Sequence, residues 1–379
     1  MPRTSRMSSR YGKTLGATAV GGALLLALTA CAGGAPAAAD IDLGSGPAAA
    51  GQVKKGALDG VTLTFASYGG IYQDGQEAAA VKPFAAASGA KLLSDGPTDY
   101  TKLKAQVDSG TVTWDVVDTD SIWAERECGK LLMPLDTTIV DTSKLPKDMV
   151  GKCSVPAMTY GMVLMYDKKK FGDHPPKGWA DFFDTAAYPG KRAIPGVASD
   201  AAPGPLEAAL LADGVAADQL FPLDVDRALK KLTSVRSSLV FWDTGARSQQ
   251  LLESGEVSMA MVWSGRAYSA VKNGAAFAPQ WNQFLPISDS LAVPKGARNP
   301  KAAMALINYY LGASEQAKLT ELTSYSPVNS DAKPTLDPTA TEYLTSTPER
   351  QAQALKVDNA WWAENQEQLI QKWSDWLAR

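Results

Sequence analysis

Residues 61–68 read VTLTFASY and are followed directly by Gly69 and Gly70. Apolar and polar side chains alternate along this stretch, as they do in a half-buried β-strand, and the two glycines end the alternation. A run with the apolar spacing of a helix comes next, and we expect Pro83 to break or kink it. A strand followed by a helix at the start of the chain's body favours an α/β fold.

Short β-rich runs alternate with helical ones along the rest of the chain. The predicted strands are residues 114–119 (WDVVDT), 158–166 (MTYGMVLMY), 257–263 (VSMAMVW) and 290–293. Predicted helices cover residues 302–311 and the C-terminal segment, whose apolar stripe is Trp362, Leu369, Trp373 and Trp376. Such a stripe is typical of a helix packed on a core. The roughly 320 residues after residue 57 are enough for two lobes of ordinary domain size.

The first thirty residues have the pattern of a secretory signal peptide. Arg3, Arg6, Arg10 and Lys13 form a basic head, and an apolar stretch too short for a comfortable membrane span covers residues 15–30. The sequence LTAC at residues 28–31 resembles the lipobox of bacterial lipoproteins, in which the cysteine carries a diacylglycerol and becomes the new N-terminus. We therefore expect residues 1–30 to be removed and Cys31 to be lipidated. The alternative is an ordinary signal peptide with a chance cysteine.

Residues 31–57 are predicted to form a flexible tether, because a segment rich in Ala, Gly and Pro buries little apolar surface. Two or more acyl chains would hold such a protein on a membrane. Removal of the basic head leaves 33 Lys and Arg against 40 Asp and Glu, so the net charge changes from −3 to −7. This charge argues against a nucleic-acid partner.

Two cysteines, Cys128 and Cys153, remain once the lipid occupies Cys31. An even pair in an oxidising compartment predicts a disulfide, which would close a loop of about 25 residues and contribute roughly 3 kcal/mol. The alternative is two buried free thiols. His174 is the single histidine of the sequence, so we expect no metal site, and no cofactor is expected.

Several short segments recur in order over some 270 residues and carry a resemblance to a known family. They are SYGG (67–70), WDVV (114–117), GWAD (178–181), YPGK (188–191), LESGEV (252–257), MVWSG (261–265), DSLAVP (289–294) and YSPVN (325–329). In this order and spacing, residues 61–332 resemble the substrate-binding proteins of bacterial ATP-binding-cassette (ABC) importers, in particular the spermidine/putrescine-binding family.

The resemblance implies a two-lobed periplasmic-binding-protein fold, in which hinge strands join two α/β lobes and the lobes close over a ligand in the central cleft. Lobe 1 would hold residues 58–160 and 289–330, and lobe 2 residues 161–288 and 331–379. It further implies a monomer anchored on the outer face of the cytoplasmic membrane, which delivers a small amine to cognate ABC permease subunits.

The residues that line the cleft are also implied by the resemblance. Polyamine receptors of this family pair ammonium groups with carboxylates and line the methylene chain with aromatic rings. Carried over onto this sequence, the ligand-binding residues are Tyr68, Tyr72, Asp120, Trp123, Asp200, Trp263, Asp289 and Tyr325. Pro203 stands where the family has a second acid after Asp200, which argues against spermidine itself.

Two arginines, Arg247 and Arg266, complicate this reading. A guanidinium would repel a polyamine, whereas relatives that bind γ-aminobutyrate or opine-like amines would use it to pair with a carboxylate. Both arginines could instead form structural ion pairs. We expect a polyamine ligand, with a zwitterionic amino compound as the alternative, and we include Arg266 among the ligand-binding residues.

Two other classes of function are considered. Ten tryptophans could stack on sugar rings, which keeps a sugar receptor open. A lipid-anchored hydrolase has less support, because the sequence lacks the Gly-x-Ser-x-Gly elbow, the phosphate-binding loop and the zinc motifs. The Ser-x-x-Lys match at residues 88–91 lacks its companion motifs. The sequence therefore predicts a receptor with no catalytic residues.

Overall fold

The computed structural model describes residues 41–197 and 202–379. The predicted signal peptide, Cys31 and Asp200 lie outside these residues. The strands of the described part are β1 Thr62–Ala66, β2 Lys91–Asp95, β3 Val116–Asp120, β4 Ser154–Asp167, β5 Arg192–Pro195, β6 Leu239–Trp242, β7 Met259–Trp263 and β8 Phe277–Ala292. They form one mixed sheet in the order β2-β1-β3-β8-β4-β7-β5-β6.

Helices cover the faces of this sheet. In the first half of the described chain they are α1 Gly70–Gln76, α2 Lys82–Ser88, α3 Tyr100–Asp108, α4 Ser121–Arg126, α5 Lys168–Phe171, α6 Trp179–Phe183 and α7 Pro205–Ala212. In the second half they are α8 Val225–Ser234, α9 Gly245–Ser254, α10 Ser264–Lys272, α11 Pro300–Tyr310, α12 Ala313–Thr323, α13 Pro338–Glu342, α14 Pro348–Gln351 and α15 Asn359–Leu377.

The two long strands β4 and β8 join two halves of the sheet. β1 pairs in parallel with β2 and β3 on one side, and β5 pairs in parallel with β6 and β7 on the other. β8 pairs antiparallel with β3 at one end and with β4 along most of its length, while β4 also pairs with β7. The predicted α/β class and the crossing strands are confirmed, and the predicted lobe boundaries fall inside β4 and β8.

Periodicity in the sequence identifies some of these elements and misses others. The predicted strands correspond to β1, β3, β7, most of β4 and the end of β8. Of the predicted break or kink at Pro83, the break does not occur, because a π-helical turn at Glu77–Val81 connects α1 directly to α2. Pro83 lies in the first turn of α2, and the wider π turn before it accommodates a residue that has no N–H to donate.

The C-terminal helix α15 is bound to both halves of the molecule. Its stripe of Trp362, Leu369, Trp373 and Trp376 is buried, as predicted. The indole Nε1 of Trp362 donates to Glu207 Oε1 of α7 at 2.8 Å, and Nε1 of Trp376 donates to Thr233 Oγ1 of α8 at 2.9 Å. On the other half, Arg126 Nη1 at the end of α4 donates to Gln366 Oε1 at 2.9 Å. We expected the C-terminal helices to belong to lobe 2. α15 contacts α7 and α8 as that expectation requires, but it also contacts α4 in the other half.

The described end of the predicted tether is held against α11. The buried side chain of Asn308 donates through Nδ2 to Ala49 O at 2.9 Å and Gln52 O at 3.2 Å. In return, Gly51 N donates to Asn308 O at 3.0 Å. Composition alone predicts a free segment up to residue 57, but a single buried amide satisfies these carbonyls and fixes residues 49–52.

Cys128 and Cys153 lie in disulfide geometry, with their sulfur atoms 2.06 Å apart and their Cα atoms 5.3 Å apart. Cys128 follows α4 and Cys153 precedes β4, so the pair joins a helix end to the start of a crossing strand. In the described part of the chain, no helix is both long and apolar enough to cross a membrane.

Candidate ligand-binding cleft

Two cavities adjoin the crossing strands, and Pro203 lines both of them. The first has a volume of about 360 Å³ and includes Tyr68, Trp263 and Arg266 among its lining residues. The second has a volume of about 600 Å³ and includes Asp120. Four of the predicted ligand-binding residues therefore line a cavity. Trp123, Tyr72, Asp289 and Tyr325 lie outside the lining of these two cavities but are buried beside them.

Arg266 is the cation of the first cavity. Its side chain, in the first turn of α10, is 5% exposed, and Nη2 donates a long 3.4 Å hydrogen bond to Gly69 O. The Nε of Arg266 is buried without a hydrogen-bond partner in the described structure. None of the ion pairs that join described residues includes Arg266. The Nε of Arg266 is thus an unused donor, and no described carboxylate lies within ion-pair distance of the guanidinium, although Asp99 and Asp243 also line this cavity.

Glycines make room for this guanidinium. A Cβ atom built on Gly245, at the start of α9, would lie 2.4 Å from Arg266 Nε and 3.1 Å from the Trp263 ring. A Cβ on Gly70, at the start of α1, would lie 3.3 Å from Arg266 Nη1. Arg266 therefore lies between two helix N-termini, one from each half of the sheet.

Arg247 has a different role from Arg266. Its Nη2 forms an ion pair with Glu256 Oε2 at 3.1 Å, and its Nη1 donates to Gln250 Oε1 at 3.0 Å. Both partners are on the surface of α9 or just after it. The sequence left open whether these arginines form structural ion pairs or face the ligand. Arg247 forms a structural ion pair, whereas Arg266 lines the first cavity.

A series of aromatic rings connects the first cavity to the buried acids. The Trp263 ring packs edge-on against Trp242 at 5.0 Å and against Tyr160 at 6.3 Å between centroids. Tyr160 packs against Tyr325 at 5.5 Å, and Tyr325 against Tyr72 at 5.3 Å. Gly265 permits this approach, because a Cβ there would lie 2.2 Å from the Tyr325 ring.

Three buried aspartates lie on the far side of these rings. The hydroxyl of Tyr160 donates to Asp289 Oδ1 at 3.1 Å, and Asp289 pairs with Asp120 in the β3–β8 register. The hydroxyl of Tyr72 donates to Asp118 Oδ2 at 2.7 Å, and Gln76 Nε2 also donates to that oxygen. Asp118 Oδ1 is buried without a partner in the described structure. The site thus combines a cation at one end with a group of acids at the other.

The pKa of Tyr325 responds to charges at both ends of the site, whereas that of Tyr160 responds to the acids. Burial raises the pKa of Tyr325 to about 12, with Arg266 opposing the rise and Asp289 adding to it. Burial, followed by the charge of Asp289, raises the pKa of Tyr160 well above its usual range. Burial raises the pKa of Asp118 to about 7, against hydrogen bonds from Tyr72 and Gln76 that favour its ionised form. The tyrosines remain neutral hydrogen-bond donors.

The remaining predicted residues support the cleft wall. The hydroxyls of Tyr68 and Tyr100 lie 2.7 Å apart and both accept from Asp120 N. Trp123 stacks behind Tyr100 at 4.2 Å, and Asp120 Oδ1 accepts from Trp123 N at the start of α4. Sequence reasoning missed Tyr100, Tyr160, Trp242 and Gly245. Tyr160 could have been proposed as a cleft residue, because it is an aromatic residue inside the predicted strand at 158–166.

Comparison with known proteins identifies the family. A sequence model of the family described as bacterial extracellular solute-binding protein matches residues 79–352. The chain belongs to this family. It is 33% identical to a gamma-aminobutyric acid-binding protein of Pseudomonas aeruginosa, over 84% of this chain and 91% of that protein. It is 24% identical to a spermidine/putrescine-binding periplasmic protein of Escherichia coli, over 78% and 86% of the two chains.

A solved structure shows the same architecture. The Atu4243–GABA receptor matches with a TM-score of 0.77 and 40% identity, over 84% of this chain and 98% of that chain. The fold is thus the two-lobed fold of periplasmic binding proteins, as predicted. The protein is a solute-binding receptor of the type that serves ABC importers, and it is not an enzyme.

Proposed function

We propose that this receptor binds a small zwitterionic amino compound, such as gamma-aminobutyric acid, and that Arg266 pairs with the ligand's carboxylate. The buried guanidinium of Arg266, which has no ion-pair partner among the described residues, carries this proposal. A buried charge without a counter-charge is costly, and a bound carboxylate removes that cost. The planar guanidinium can also hold a carboxylate through two parallel hydrogen bonds.

The ammonium end of the ligand is assigned to the acids beyond the aromatic rings. Asp289 is 5% exposed and already accepts a hydrogen bond from Tyr160, which orients it. Trp263 lines the first cavity, and Tyr160 contacts both Trp263 and this acid, so the two rings would provide faces for the methylene chain and the cation.

A polyamine, the main expectation from the sequence, has less support than this alternative. Putrescine places a second ammonium where gamma-aminobutyric acid has its carboxylate, and that ammonium would face Arg266. The relative that binds gamma-aminobutyric acid is also more similar to this chain than the spermidine/putrescine-binding relative. A sugar would leave the charge of Arg266 unmatched.

The setting of the receptor is part of the same proposal. We infer that Cys31 carries a lipid anchor, that residues 32–48 connect it to the body, and that the monomer passes its ligand to cognate permease subunits. The lipobox-like sequence at residues 28–31 and the family of extracellular proteins support this assignment.

Isothermal titration calorimetry with three ligands tests the proposed ligand class. Gamma-aminobutyric acid and putrescine have the same four-carbon chain and differ at one terminal group. A maltooligosaccharide tests the alternative that the receptor binds a sugar. We expect the amino acid to bind at least tenfold more tightly than putrescine and no binding of the sugar. Tighter binding of putrescine or of the sugar would overturn the proposal.

A further inference from the structure

Arg266 meets the N-terminal end of α9 in the first cavity. Thr244, Gly245 and Arg266 all line this cavity. Arg266 is 5% exposed, and its Nε is a donor without a partner among the described residues. Thr244 and Ala246, on either side of Gly245, are exposed. The start of α9 is therefore open at the point where it approaches the guanidinium.

The first N–H groups of α9 are only partly satisfied by the protein. A helix leaves its first N–H groups without intrahelical acceptors. Thr244, the cap residue, accepts from Arg247 N through Oγ1 at 3.2 Å, and its carbonyl oxygen accepts from Ser248 N at 3.0 Å. Among the described residues, no hydrogen bond uses the N–H of Gly245 or of Ala246. Two backbone donors thus remain beside Arg266.

The charges at this point favour an anion. A helix N-terminus carries a partial positive charge, so it favours a neighbouring anion over a cation. Arg266 lies in the first turn of α10 and beside the start of α9, and neither helix has an acidic residue in its first turn. Asp243, one residue before the cap, is exposed and belongs to none of the ion pairs that join described residues. The guanidinium and the start of α9, both positive, therefore lie together without a paired carboxylate from the described chain.

We propose that the N-terminus of α9 is part of the ligand site, and that the N–H groups of Gly245 and Ala246 donate to the same ligand carboxylate that pairs with Arg266. The inference rests on the proposed function, which puts that carboxylate at Arg266. Helix N-termini bind carboxylates and phosphates through such free N–H groups. Neither a guanidinium nor an N–H can accept a hydrogen bond. This end of the site therefore has donors only, which match an ionised carboxylate whose two oxygens both accept.

Amide-to-ester exchange tests the two donors without changing a side chain. Cell-free translation with α-hydroxy acids replaces Ala246 by lactic acid or Gly245 by glycolic acid, and each exchange removes one N–H. Equilibrium dialysis with labelled gamma-aminobutyric acid then measures the affinity of each variant. We expect a loss of more than threefold in one or both variants. The second variant keeps the test decisive if the first does not fold, which thermal unfolding of each variant shows.

Ala313 provides the matched control, because it is the first residue of α12 and lines neither the first nor the second cavity. Its replacement by lactic acid removes an N–H at another helix start and should leave the affinity within threefold. If both exchanges in α9 also leave the affinity within threefold, α9 is not part of the site, and the proposed function stands as long as the wild type binds gamma-aminobutyric acid. If the wild type does not bind this compound, the proposed function fails and this inference fails with it.

Discussion

At the scale of single residues, the position of Arg266 depends on Gly245. Any side chain at position 245 would collide with the arginine, because a Cβ there would lie 2.4 Å from Arg266 Nε. A glycine in the first turn of a helix normally lowers helix stability. Here the absence of a side chain gives the guanidinium its place beside Trp263.

Replacement of Gly245 by alanine should separate these two effects. Helix propensity alone predicts a gain of up to about 1 kcal/mol in the stability of α9. The added methyl group should instead displace Arg266 and lower the affinity for gamma-aminobutyric acid by at least about tenfold, a loss of roughly 1.4 kcal/mol. Titration calorimetry measures the change. Gly46→Ala is the control, since no atom lies within 4 Å of its new Cβ. An unchanged ligand affinity in Gly245→Ala would contradict the account.

The buried Asp118 should make stability depend on pH. Its pKa is about 7 in the folded protein, chiefly because of burial, against an ordinary value of 3.8. Between these values the folded state holds a proton that the unfolded state has released, so this carboxyl stabilises the protein less as pH rises from about 4 to about 7. Asp118→Asn cannot ionise and should gain stability relative to the wild type over that window. Urea unfolding at pH 5 and pH 8 measures the difference, and a difference independent of pH would refute the assignment.

Some residues of the site could be predicted from the sequence, and others depend on long-range pairing. Trp263 and Arg266 occur together in the MVWSGR segment, where a strand ends and a helix begins. Tyr160 reaches Asp289 only because β4 and β8 pair in one particular register, which no local pattern specifies. Gly245 could not be recognised, because its role is to leave space for a residue on another helix.

At the scale of elements, β4 and β8 decide where the site forms. Tyr160 of β4, Asp289 of β8 and Trp263 at the end of β7 meet because these strands are neighbours in the sheet. The alternation of side chains predicts most of β4, but β5 and β6 have four residues each, too few to show a period. The first part of β8 reads FAPQWNQFLP, in which two prolines obscure the strand pattern.

The link between Cys128 and Cys153 should stabilise the start of β4. Mass spectrometry of the unreduced protein should recover the two cysteines in one linked peptide pair. The Cys128→Ser, Cys153→Ser double variant should lose roughly 3 kcal/mol of stability, because the unfolded chain is no longer constrained by the closed loop. Quantitative alkylation of both thiols without a reductant would show that the bond is absent.

At the scale of the whole molecule, we expect the described body to be independent of the proposed membrane anchor. The described chain is fixed to α11 from residue 49 onward, through Asn308. The net charge of −7 after residue 30 does not favour binding to anionic lipids, so the proposed attachment is expected to depend on the lipid at Cys31.

Replacement of Cys31 by alanine tests the anchor. We expect the variant to leave the membrane fraction while keeping the thermal stability and ligand affinity of the wild type, because Cys31 precedes the part of the chain that packs on the body. Fractionation followed by a high-salt wash measures the release. A variant that stays with the membranes after the wash would exclude the lipid anchor.

The pairing of Arg266 with a carboxylate is tested most directly by titrating three proteins with two ligands. The proteins are the wild type, Arg266→Gln and Asp289→Asn, and the ligands are gamma-aminobutyric acid and putrescine. Loss of one partner of a buried charge pair costs roughly 2–5 kcal/mol, which is more than tenfold in affinity. We predict that Arg266→Gln weakens binding of the amino acid by more than tenfold and leaves putrescine binding unchanged or stronger, whereas Asp289→Asn weakens both. If Arg266→Gln leaves the affinity for gamma-aminobutyric acid within twofold while the wild type binds putrescine more tightly, the account is contradicted.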